Sequence, residues 1–202
     1  MGQGIRRVLA ATPEADGDDV NLLWVGSTMR GLQHMVEIFP RLRQYRKDAK
    51  LFIVSDFEAY YERLQWSHYI HGLHLQQVKH SLLPLPGVYN LGPLSEEAMD
   101  ELPAMDLVVY PCDPALQIPF TFQGMRLLEK AIFPTATTTR PFLTSAFPQV
   151  LQTFPGVKPM GLPIVAEDWA RVIGAGEWDF GVSGPASFGD YPREQKEFFT
   201  GE

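Results

Sequence analysis

The chain has 202 residues, 45% of them hydrophobic and 20% charged, which is enough apolar material for one sizeable core and too much for a disordered chain. A net charge of -7 excludes a general phosphate-tracking surface for DNA or RNA, because such binding needs clustered positive charge to displace counterions. The one cysteine, Cys112, excludes an intrachain disulfide and a cysteine-built zinc cage, and it suits a reducing, cytoplasmic setting.

Residues 1–20 carry no apolar run of the length a secretory signal needs, and Arg6 stands where N-myristoylation wants Ser or Thr. Their last part, "TPEADGDDV", is acidic and turn-rich, so 1–20 is expected to be a flexible lead-in. "NLLWVG" is a continuous apolar run closed by glycine, which predicts a buried strand and places the start of the domain at Asn21. From Gly31, the positions Leu32, Met35, Val36, Phe39 and Leu42 recur at helical spacing, with Arg41, Arg43, Arg46 and Lys47 outside the stripe. The run "RLRQYRK" is therefore the wet face of a helix rather than a membrane or nucleic-acid patch.

"KLFIVSDF", "GVYNLG" and "DLVVYP" predict three further strands, each too continuous in apolar character to leave one face in water. Between the last two, Ser95 is placed to cap a short helix whose first turn carries Glu96 and Glu97, and Pro103 stops it. "FTFQGMRLLEKAI" predicts the next helix, and "AEDWARVIGAG" a weak one after Val165. The uncharged stretch 141–157 is broken by prolines, so no membrane span is expected. Strands alternating with helices predict an α/β fold, a Rossmann-like parallel sheet with helices on both faces, over residues 21–176; a tail without periodicity follows at 177–202.

In such sheets ligands bind beyond the carboxyl ends of the strands, here the loops after Val25, Val54, Leu91 and Tyr110. The first loop, "VGSTMRGLQ", offers a tight turn at Gly26, hydroxyls on Ser27 and Thr28, and Arg30 at a helix start, where free N–H groups favour an anion. On this fragment alone it reads more readily as an ordinary strand-to-helix turn with a solvated arginine. Glu129 lies on the apolar stripe defined by Phe122, Met125 and Ile132, where a carboxylate must recover the hydrogen bonds it loses with water. Two partners suit it: Arg126 on the same helix, or the vicinal diol of a ligand. His68, His71 and His74 are read as surface or packing residues rather than metal ligands, and Cys112 as a packing thiol.

Taken together, "LLWVGSTMRGLQHMVEIFPRLRQYRKDAKLFIVSD", "VYNLGPLSEEAMDELPAMDLVVYPCD" and "GMRLLEKA" resemble the C-terminal, donor-binding domain of GT-B glycosyltransferases of the group 1 or family 4 type. The resemblance implies a single GT-B half that binds a nucleotide diphosphate sugar. Glu129 would hold the donor's ribose hydroxyls, and Gly124 would let backbone amides approach the sugar and phosphates. Arg30, with Gly26, would neutralise the diphosphate, and the Asn90–Leu94 loop, with Gly92 and Leu94, would lie beside the nucleobase. Ser27 stands at the position of the family's usual loop arginine, and Thr121 at that of its first glutamate. No metal and no cofactor beyond the donor substrate are implied. The acceptor would be held by an N-terminal domain that is missing here or separate. The alternatives are a non-catalytic nucleotide-binding or interaction module with a degenerate glycosyltransferase fold, and a nucleotide-sugar epimerase.

Overall fold

The computed structural model describes residues 19–26, 28, 30–57, 69–102, 104–112, 122–135, 140–145 and 164–176. Ser27, Pro103, Thr121, most of the lead-in and the tail from 177 lie outside the described residues.

Among the described residues, five parallel strands form one sheet: β1 (Asn21–Val25), β2 (Lys50–Val54), β3 (Val88–Asn90), β4 (Leu107–Tyr110) and β5 (Phe142–Thr144), in the spatial order β3-β2-β1-β4-β5. The order runs outward from β1 to β3, then jumps back across β1 to β4 and outward again to β5. This is a Rossmann-like α/β fold whose direction reverses between β1 and β4. Every residue of β1, β2, β4 and β5 is buried, as their continuous apolar runs require. Burying a side chain such as Leu23 or Phe52 contributes roughly 2 kcal/mol.

Two strands depart from the sequence expectation. β3 is half-exposed rather than buried; it lies at one edge of the sheet beside β2, whereas β5, at the opposite edge, is buried. β5 was not expected at all: it lies in the proline-broken uncharged stretch and pairs with β4 from Val108↔Phe142 to Tyr110↔Thr144.

The helices are α1 (Met35–Tyr45), α2 (Tyr69–Gln77, continuing as a wider turn over Val78–Leu82), α3 (Glu96–Met99), α4 (Phe122–Ile132) and α5 (Ala166–Ala175). They pack in two groups, α1 with α2 and α5, and α3 with α4, the arrangement that a doubly wound sheet gives its two faces. α1 begins one turn later than its periodicity suggests, because Leu32–His34 forms a 3-10 turn. Ser95 caps α3 as expected, its Oγ accepting from the Ala98 amide at 3.3 Å. α5 is firmer than its sequence suggests: Trp169, Ala170 and Ile173 are fully buried, and Gly174 lets it approach α1, since a β-carbon there would stand 3.0 Å from Tyr45 Cβ. No helix among the described residues is long and apolar enough to cross a membrane.

Candidate functional site

The carboxyl ends of β1 and β4 are held together by contacts between segments far apart in sequence. Gly26 ends β1, its amide donating to Val54 O at 3.0 Å, so the sheet continues to the last residue before the loop. The point where a Gly26 β-carbon would stand is 3.1 Å from the Tyr110 hydroxyl and 3.9 Å from Arg30 Cδ. The missing side chain thus makes room for a phenol and an arginine stem to converge over the strand end. Arg30 is 5% exposed, so the cation expected at the helix start is folded inward rather than solvated.

Gly31 seats the first loop against the end of β4. Its φ of 90° is open to few residues other than glycine, and a β-carbon would lie 1.7 Å from the Pro111 carbonyl oxygen, so the loop sits directly on the backbone that leaves β4. The Cys112 thiol donates to Arg30 O at 3.3 Å, which ties the same two segments together a second time. From β5, Thr144 Oγ1 donates to Tyr110 O at 2.9 Å, and Ser145 Oγ donates to Cys112 O. Trp24, Tyr110 and Phe142 form an aromatic row across β1, β4 and β5, with centroids 5.9 Å and 6.1 Å apart. The strand ends are therefore a stiff platform.

Among the described residues, Thr28 Oγ1 in the first loop and Ser55 Oγ just past β2 are buried hydroxyls at this edge without a hydrogen-bond partner. A buried hydroxyl left unpaired costs about 1–3 kcal/mol. Ser55 is also linked to the third loop, its amide donating to Gly92 O at 3.2 Å. In that loop Asn90 Oδ1 accepts from the Gly92 amide at 3.1 Å. No described residue lies within 4 Å of where a Gly92 β-carbon would be, so this side of the loop is open to them. Leu94 points into the core at 5% exposure, which leaves its backbone for any ligand.

Glu129 sits on α4 with its side chain 13% exposed, as a carboxylate on an apolar stripe should be. Arg126 lies 3.8 Å from it, so the partner on the same helix is present. Arg126 gives its better geometry to Glu96, donating from Nε at 3.3 Å and from Nη2 at 3.0 Å. That carboxylate holds the guanidinium even more firmly protonated than usual. The chain Glu129–Arg126–Glu96 reaches the start of α3, just beyond the Gly92–Leu94 loop. The structure brings Gly26 and Arg30 together at the switch point and sets Glu129 apart from them, joined through Arg126 to Glu96 at the start of α3. Gly124 lies in the first half of α4. Gly31, Tyr110 and Ser55 were not singled out by the sequence reading. A glycine opening the helix could have drawn notice to Gly31; nothing local marks Tyr110 or Ser55.

No family model and no curated protein matches the chain. Among solved structures, it is similar to an α,α-trehalose-phosphate synthase (UDP-forming) from Burkholderia vietnamiensis, with TM-score 0.48 and 10% identity, covering 84% of this chain and 38% of that one. It is similar to apo OtsA, with TM-score 0.47 and 11% identity, covering 95% and 42%. It is also similar to Anabaena HepE in complex with UDP and glucose, with TM-score 0.49 and 15% identity, covering 96% and 46%. The chain spans less than half the length of each of the three. At these similarities the fold assignment rests on the chain's own all-parallel order, β3-β2-β1-β4-β5.

Proposed function

We propose that the chain is a donor-binding domain of GT-B glycosyltransferase type, holding a nucleotide diphosphate sugar across the carboxyl ends of β1, β2 and β3. The observation that carries the reading is the convergence of Gly26, Arg30 and Tyr110 at the strand where the sheet order reverses. A diphosphate at these strand ends would meet the Arg30 cation and the N-terminal end of the Leu32–His34 turn that leads into α1. Thr28 and Ser55 supply hydroxyls that a ligand would satisfy. Gly26 and Gly92 stand two strands apart, a span of about 10 Å, which suits phosphates at one end and a base at the other. Glu129 has acceptor capacity for a ribose diol, and Gly124 precedes it on the same helix. Catalysis in such a domain consists of positioning the donor and stabilising the departing nucleoside diphosphate by charge. The acceptor would come from an N-terminal domain on another chain or a further segment.

Calorimetric titration with UDP, GDP and ADP tests this. One nucleotide should bind in preference to the others, and both Arg30→Met and Glu129→Ala should weaken it at least tenfold. Absence of heat with all three nucleotides refutes the reading. Binding without donor hydrolysis, in the presence of an acceptor domain, favours instead a non-catalytic nucleotide-binding module, to which Thr121 at the position of the family's first glutamate also points.

A further inference from the structure

Just past Arg30 the chain enters a second concavity, a cleft of about 230 Å³ between the 3-10 turn, α1, α2 and the start of α5. Its polar lining is Gln33, His34, Glu37, His74 and Gln77, and Ile38 and Ile164 give it an apolar side. Gln33 is the anchor. It is 8% exposed, and its Oε1 is buried without a hydrogen-bond partner, while its Nε2 lies 3.3 Å from His34 Nε2. Across the cleft His74 Nδ1 is likewise buried and unpartnered. Both atoms are covered, but they belong to side chains that line one cleft from different elements; left unpaired they cost about 1–3 kcal/mol each, which a ligand would relieve if the carboxamide and the ring turned toward it.

The lining selects the chemistry of that ligand. Among the described residues it contains no lysine or arginine to pair with an anion, so a phosphate or carboxylate is not matched. Its one acid, Glu37, is exposed, so a cation would gain little from it. Among the described residues no group of His, Cys, Asp and Glu is arranged to hold a metal ion. What remains is two carboxamides and two imidazoles, each able to donate and to accept, beside an aliphatic wall. Such a surface suits a molecule whose hydroxyls do both and whose C–H face is apolar. The volume is below the roughly 300 Å³ at which pockets for drug-sized ligands begin, which limits the ligand to about one sugar ring.

We propose that this cleft binds a small neutral polyhydroxylated molecule of monosaccharide size, anchored by the Gln33 carboxamide. The inference is independent of nucleotide binding at β1 and β4. The test is an NMR titration of the ¹⁵N-labelled chain with D-glucose, D-galactose and D-mannose, and separately with inorganic phosphate and ethylammonium. Saturable shifts are expected in the backbone amides of 33–38 and 164–167 with at least one sugar. They should weaken at least tenfold in Gln33→Met, which keeps the chain length of the side chain and removes both polar atoms, and several-fold in Gln77→Ala at the exposed mouth, a variant that serves should the first fail to fold. No saturation with any sugar, unchanged binding in a folded Gln33→Met or, should that variant fail to fold, in Gln77→Ala, or shifts with phosphate or ethylammonium alone each overturn the proposal. A UDP titration of the same sample reports the nucleotide site separately.

Discussion

A β-carbon on Gly31 would lie 1.7 Å from the carbonyl oxygen of Pro111, so the loop after β1 and the segment after β4 touch through bare backbone. Neither side can yield easily, because the Pro111 carbonyl belongs to a stretch pinned by bonds from Thr144 and Ser145 to its neighbours. Gly31→Ala combines this overlap with a positive φ and is expected to cost on the order of 3 kcal/mol. Gly92→Ala is the control: φ is 70° there but the space is open, and about 1 kcal/mol is expected. Urea denaturation of both variants measures the difference, and equal costs would mean that the Gly31 contact is not tight in solution.

Glu129 separates the structural from the functional reading of α4. If its role is only to accompany Arg126, Glu129→Gln should shift stability by less than about 1 kcal/mol and leave nucleotide binding alone, since Arg126 keeps its two-nitrogen contact with Glu96. The ribose reading expects the same small stability change together with at least a tenfold loss of nucleotide affinity, about 1.4 kcal/mol. Chemical denaturation and calorimetry on one preparation give both numbers. Glu96→Gln, which disturbs Arg126 without touching the proposed diol contact, should lose less affinity.

The parts of the fold that were legible in sequence are those whose signal is local. Leu22 to Val25 and Leu51 to Val54 read as strands because unbroken apolar runs have few other uses, and Ser95 read as a cap because its hydroxyl acts on its own turn. β5 was invisible because Phe142–Thr144 is a strand only by virtue of pairing with β4. The exposure of β3 depends on what covers it from elsewhere in the chain, since β5 at the opposite edge is buried, and no window of sequence states that. The same distinction divides the site. Gly26, Arg30 and Glu129 carry local marks, a turn, a helix start and an acid on an oily stripe. The roles of Gly31 and Tyr110 come from partners distant in the chain.

Cys112 was read as a packing thiol, and its 2% exposure and bond to Arg30 O give that reading a kinetic consequence. A thiol held there reacts only when the contact between the first loop and the end of β4 opens. Labelling with a disulfide reagent in native buffer should therefore be slow, and should accelerate in urea in step with opening of the switch-point segments. Gly31→Ala should label faster than the parent even where both remain folded. Rapid stoichiometric labelling of the native parent would show that this contact opens freely.

The acid limb of stability should depend on the turn after α1. The hydrogen bond from Arg46 holds Asp48 below the ordinary aspartate value of 3.8, outweighing partial burial, which acts the other way; the positive charges of Arg46 and Arg43 add to the lowering. Both nitrogens of the Arg46 fork reach the carboxylate, at 3.2 Å and 2.7 Å. A group whose folded-state pKa is depressed contributes stability above its unfolded value and loses it as pH falls through the folded one. Asp48→Asn should therefore lower the melting temperature at neutral pH and converge with the parent below pH 3.8, as the parent's carboxylate takes up its proton. Melting curves at intervals across that range check the sign: a gap that stays constant with pH would assign the loss to packing of the turn rather than to the charge on Asp48.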